Sequence, residues 1–233
     1  MVFSRSLLPD LRPNGKPVND GKVSMRKKAL GIALIAAFAF TGIATASASA
    51  IEWKVEGAPL GVGIKESIKE NVTVVKPFIL KRANGLTVEC KMKVKVAFIE
   101  GPNKNGAEAL EFFECAVTSN TKCAVEEPIR TTAVVSTLEA GPPVKLKFVP
   151  KEGTQFTTIT LKSKPGVTCA QAGKLNIVGS AVGEAPEVGT EKLGHLLNFT
   201  ETSGSNLTFG EETSVFTGEA QLELTSGKKW SAS

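Results

Sequence analysis

The chain has no tyrosine, one histidine (His195) and two aspartates, Asp10 and Asp20, so that no aspartate occurs from Ile51 onward. A Ser-His-Asp triad cannot be assembled from that part, and a Ser-His-Glu version lacks the G-x-S-x-G elbow that presents the nucleophile. His195, in Lys192-Leu-Gly-His-Leu-Leu, reads as an exposed or satisfied strand-edge residue. A cysteine nucleophile lacks a base for the same reason. Gly61-Val62-Gly63 begins like a dinucleotide fingerprint, but Glu66 stands where the third glycine belongs. Gly227-Lys228-Lys229 lacks the upstream glycine and the hydroxyl residue of a phosphate loop. No cofactor is expected.

What is present begins with a leader. Arg26, Lys27 and Lys28 follow Met25, Ala29–Phe40 is an apolar run, and Ala48-Ser49-Ala50 matches an A-x-A cleavage site. The apolar stretch, taken to Ile43, is about fifteen residues against the roughly twenty that cross a bilayer, so the expectation is a signal peptide over residues 25–50, cut at Ala50–Ile51. No cysteine precedes Cys90 to carry a lipid, and no Arg-Arg pair marks twin-arginine export. Residues 1–24 carry no recognisable signal and read as a non-native upstream extension, with Met25 as the true start. Seven of the 28 basic and two of the 23 acidic residues fall before Ile51, leaving 21 of each in the remaining 183 residues. The mature part is formally neutral, which argues against nucleic acid as a partner.

All four cysteines lie in this part, and an exported chain oxidises an even number in pairs. Their spacings contain no C-x-x-C and no clustered histidine, which argues against a metal site. Val88, Cys90, Met92, Val94, Val96 and Phe98 alternate with Glu89, Lys91, Lys93 and Lys95, the pattern of a half-buried strand. A turn cluster, Gly101–Gly106, and a second strand-like run, Ala107–Val117, follow. Folding this hairpin about position 103.5 puts Cys90 opposite residue 117, and a shift of two on the same face puts it opposite Cys115. The expected pairs are therefore Cys90–Cys115 and, by remainder, Cys123–Cys169.

Further short runs occur at 52–55, 71–75, 131–138, 144–149, 156–161, 175–182, 196–200, 206–209 and 214–224, separated by Gly, Pro and Asn turns. The expected fold class is all-β: one domain over residues 51–233, an antiparallel sandwich or barrel stapled by two disulfides. Gly63–Asn71 reads equally as a helix or a strand.

Among chemistry-bearing groups, Glu111 and Glu114 flank Phe112 and Phe113, so a glycan-acting hydrolase with paired glutamates is one expectation, set against both facing water. Lys91, Lys93 and Lys95 form a row that serves either as a stripe for an anionic polymer or as the solvated face of a strand. Trp53, Trp230 and the nine phenylalanines after Ala50 read as core plugs, with the terminal strands packed together. A secreted inhibitor presenting the loop Gly141–Val144 is a third possibility.

The leader, Trp53-x-x-x-Gly57-x-Pro59-Leu60, the strand ending in Cys90, three further cysteines and a closing Gly-rich β region with Trp230 resemble uncharacterised exported β-rich proteins of high-GC Gram-positive bacteria. The resemblance covers the mature chain and implies secretion and a β fold; it brings no activity and no functional residues. The expected function is that of a secreted, extracellular or cell-wall-associated domain with a non-catalytic binding or structural role. Its expected partner is a cell-wall or extracellular polymer or a protein, and the mature chain has no membrane span.

Overall fold

The computed structural model describes residues 50–233. The expected signal peptide and upstream extension lie outside the described residues, apart from Ala50 at the expected cleavage site. The described chain is all-β, with seventeen strands and no helix. The first six are β1 (Trp53–Val55), β2 (Ala58–Pro59), β3 (Lys65–Ile68), β4 (Thr73–Arg82), β5 (Thr87–Glu100) and β6 (Lys104–Val117). Next come β7 (Cys123–Val125), β8 (Ile129–Arg130), β9 (Val134–Glu139), β10 (Val144–Pro150), β11 (Gln155–Ser163) and β12 (Gly173–Val178). The last five are β13 (Ala181–Ala185), β14 (Gly194–Phe199), β15 (Thr208–Phe209), β16 (Glu212–Glu223) and β17 (Trp230–Ala232). Gly63–Asn71 resolves as strand β3 in place of the helical alternative.

Eight strands close into an antiparallel barrel in the order β14-β13-β10-β9-β6-β5-β4-β16, with β16 returning to β14. Barrel, not sandwich, is the answer to the alternative left by the sequence. The long β16 serves two sheets: Gly218–Glu223 pairs with β14, while Glu212 and Thr213 pair with β15 and lead into β12, β11 and β7. This outer layer lies over Phe78, Leu80, Val88, Phe112 and Phe216 and buries them against Phe156, Ile159 and Ile177. A separate three-stranded sheet, β17-β1-β2, brings the two tryptophan-bearing strands together in register, Val55 opposite Trp230.

The core explains the closure. Phe78, Phe112, Phe199 and Phe216 form one cluster with ring centroids 5.1–6.3 Å apart, mostly edge-to-face. Such pairs contribute about 0.5–1.5 kcal/mol each beyond the area they bury.

Three sequence expectations change on the structure. First, the β5–β6 hairpin turns about Pro102, because pairing runs into the turn cluster as far as Glu100 opposite Lys104. Val88, not Cys90, therefore faces Val117. Cys90 meets a bulge in which Glu114 and Cys115 oppose it together, and Glu114 takes a left-handed φ of 49° there. The bulge brings the Cys90 and Cys115 Cα atoms to 4.2 Å, and the disulfide forms between them. Cys123 joins Cys169 across the outer layer. Second, the inward face of β5 does not run through Val96 and Phe98. Val96 adopts φ 46° and lies exposed beside Lys95, after which Ala97 and Ile99 face inward. Strand β6 makes the matching switch at Glu108, so the barrel stays continuous. Third, the run 175–182 is two strands. Gly179, at φ 115°, ends β12 in the outer layer, and the chain re-enters the barrel as β13. A side chain at Gly179 would meet the Asn206 carbonyl at 2.5 Å, and Asn206 also accepts from the Ser180 amide at 2.7 Å.

Candidate functional surface

The barrel interior offers no room for a ligand. The voids within it and beneath the outer layer are about 40, 40 and 20 Å³, room for no more than about three waters each. An eight-stranded barrel is just wide enough for its own side chains, and here phenylalanine and leucine fill it. The larger hollows lie on the outer wall.

The sequence-nominated groups divide on that wall. Glu111 and Glu114 both point outward. Glu111 is 5% exposed, because it is covered by the two cations that grip it: Lys93 Nζ at 2.6 Å and Arg130 Nε at 2.8 Å. Hydrogen bonds from Lys93 and then Arg130 hold its carboxyl below the usual carboxylate range, against a smaller opposing effect of burial. A carboxylate held ionised in this way does not serve as a general acid near neutral pH. Glu114 is exposed and pairs with Lys91 at 2.6 Å. The lysine row is thus largely answered by β6 glutamates, and Lys95 alone of the three enters no ion pair among the described residues. This is the solvated strand face, not a free basic stripe. Beside it, the Glu127 carboxylate accepts from the Glu114 and Cys115 amides at 2.8 and 2.6 Å. It stands where a further strand would pair, which blunts an open edge.

Not every phenylalanine is a core plug. The face switch at Val96 turns Phe98 outward, where no alternation pattern would have placed it. Phe98, Gly106, Val135 and Val149 follow one another in register across β5, β6, β9 and β10. Gly106 is what makes this floor possible: a Cβ there would stand 3.1 Å from the Phe98 ring and 2.9 Å from the Val134 carbonyl. Lys65 Nζ sits 4.1 Å from the ring centroid and reaches Glu100 at 3.2 Å. The next row, Glu100, Lys104 and Thr137, is also in register and forms a polar rim, joined by Glu139 and Lys147. Together they enclose an open groove of about 460 Å³. Lys104, Glu139 and Lys147 enter no ion pair among the described residues. Below the floor, Ser136 Oγ and Asn105 Oδ1 share a buried hydrogen bond that ties β9 to β6.

A second groove, about 490 Å³, lies between β3 and the exposed Val96; no aromatic side chain lines it, and its Lys69 is tied to Glu223. The loop Gly141–Val144 is the tip of the β9–β10 hairpin, with Gly141 and Pro142 exposed. His195 departs from its sequence reading: it is 2% exposed, inside the barrel mouth, with Nε2 2.7 Å from the Trp230 carbonyl. Both tryptophans are core plugs at that mouth, their ring centroids 5.5 Å apart. All four cysteines are in disulfides, and among the described residues no three metal-ligating side chains converge. No described helix is long and apolar enough to cross a membrane. Against family models, curated proteins and solved structures, the chain finds no match.

Proposed function

We propose that residues 51–233 form a secreted, non-catalytic binding domain that engages a neutral extracellular polymer, such as a cell-wall glycan, through the outer groove of β5, β6, β9 and β10. The observation that carries this reading is the outward row of Phe98, Gly106, Val135 and Val149 beside a rim of Thr137, Glu139, Lys104 and Lys147. An apolar floor with polar groups of both signs suits a ligand with apolar C–H faces and many hydroxyls. A neutral domain supplies no long-range pull on a charged polymer. The two disulfides accord with an oxidising compartment, and with the leader they support export.

A second reading has one observation in its favour. Glu100 and Glu139 line the same groove, so a glycan-acting hydrolase would use this pair and not Glu111 with Glu114. The test is sedimentation of the purified domain with insoluble wall glycan, alongside an assay of soluble sugar released. The wild type is expected in the pellet with no sugar released, and Val135→Glu, at an exposed position, is expected to lose at least about tenfold in retention, or about 1.4 kcal/mol. Sugar release abolished by Glu139→Gln would replace the binding reading with the hydrolase. Equal retention of Val135→Glu and wild type would remove the groove.

A further inference from the structure

The barrel mouth holds the chain's sole histidine in an unusual hydrogen-bonding position. Ring nitrogen Nε2 faces the Trp230 carbonyl, which can only accept, so Nε2 carries the proton and Nδ1 keeps a bare lone pair. Nδ1 is buried and has no partner. The ring stands edge-on to Trp230, centroids 4.5 Å apart, and Trp230 in turn contacts Trp53. The adjoining void, about 20 Å³, is lined from β1, β5, β10 and β17 by Trp53, Ile99, Leu146 and Trp230, none of them charged, and from β6 by the neutral Asn105. Charged groups approach only from the flanks. Lys192 and Glu187, in the segment before β14, pair with each other at 2.7 Å. Glu223 of β16, in register with Gly194, is held by Lys69.

A proton on Nδ1 would create a charge and a donor with nothing to receive it. Burial already lowers the pKa of His195 from its ordinary 6.5, outweighing the opposite effect of the Trp230 carbonyl. The element that sits on the ring is a sheet of its own, outside the ladder of the barrel. Strands β1, β2 and β17 hold the mouth by backbone bonds, Trp53 N to Pro102 O, the reciprocal pair between Trp230 and Lys192, and Ala232 N to Val188 O, and by both indole N–H groups, which donate to the Lys104 carbonyl at 2.8 Å and the Leu193 carbonyl at 3.2 Å. Both disulfides lie elsewhere, in β5–β6 and in the outer layer.

We infer that the β1-β2-β17 sheet is an acid-released cap: a proton taken from solvent by His195 Nδ1 detaches Trp230 and Trp53 from the barrel mouth while the eight-stranded wall stays closed. The released form binds one proton more than the capped form in the interval below pH 6.5. Its population relative to the capped form therefore rises as pH falls through that interval, by at most about tenfold per pH unit, until the lowered pKa of the capped form is reached. Glu187 is held below the usual carboxylate range, chiefly by its hydrogen bond from Lys192. The inference is independent of the outer groove as a binding site.

The chain reports on its own cap. With no tyrosine and with both tryptophans in it, indole emission and its quenching by acrylamide read this sheet alone. The experiment follows both from about pH 8 to about pH 5, with far-UV circular dichroism and the proton NMR signal of the single histidine in parallel. The expected result is a red-shifted, more quenchable indole that follows the histidine titration, with the circular dichroism unchanged, and loss of that transition in His195→Gln. A histidine that titrates while the indoles stay buried would overturn the inference, without need of the variant. So would a transition that persists in His195→Gln, or one in which the whole sheet signal is lost together with the indole change.

Discussion

At the scale of residues, the outer wall is organised by charge pairs that look functional in one dimension and turn out to be mutual. Glu111 is the clearest case. In sequence it is an acidic residue beside two phenylalanines; in the fold it opposes Lys93 on one neighbouring strand and Arg130 on the other. Cross-strand pairs of this kind contribute about 0.2–1 kcal/mol each, since the cations remain substantially wet. Glu111→Gln is therefore expected to cost about 1 kcal/mol at pH 7 in a denaturant titration. Because the folded carboxyl titrates below its ordinary 4.5, its stabilisation is present above that value. It fades as pH falls through the lower folded pKa, so the mutant and wild type should converge in acid. A penalty unchanged under acid conditions would point to packing in place of charge.

At the scale of elements, alternation was legible where strands are regular and silent where they turn over. The four inward positions from Val88 to Val94, Cys90 among them, follow the sequence pattern. The same pattern continues on paper through Val96 and Phe98, but a period-2 reading has no means of registering a left-handed residue. That one residue moves Phe98 from the interior to the groove. The outer site was thus illegible for a local reason: its aromatic is displayed by a backbone irregularity at a β-branched residue, where such a φ is uncommon and costs of order 1–3 kcal/mol. The disulfide shows the opposite case. The hairpin centre expected from the turn cluster is displaced by 1.5 residues, which in a regular ladder sets Cys90 opposite Glu114, and the bulge at Glu114 brings Cys115 back to the expected pairing. Val96→Gly removes the Cβ clash and is expected to raise stability by about 1 kcal/mol, net of the entropy glycine loses on folding. Thermal melting of that variant checks it; a lower melting temperature would show that the Val96 side chain contributes more in contacts than its backbone costs.

At the scale of the whole molecule, the fold separates the inside from the outside. The strand rhythm, the turn residues and the even cysteine count pointed to a stapled all-β domain, but left open sandwich or barrel, which closure through β14 and β16 decides, and gave no sign of the outer layer. Which strands close depends on long-range pairing that no local pattern encodes. Closure fills the interior with aromatic rings and leaves on the outer wall the apolar row of Phe98, Val135 and Val149, where the proposed ligand would be met. The most direct measurement is amide hydrogen exchange of residues 51–233 with and without soluble wall-glycan fragments. Protection confined to the segments around Phe98–Lys104, Val135–Glu139 and Lys147–Val149 is the result expected. Protection centred on Gly141–Val144 or on the Val96 groove, with these segments unchanged, would contradict it.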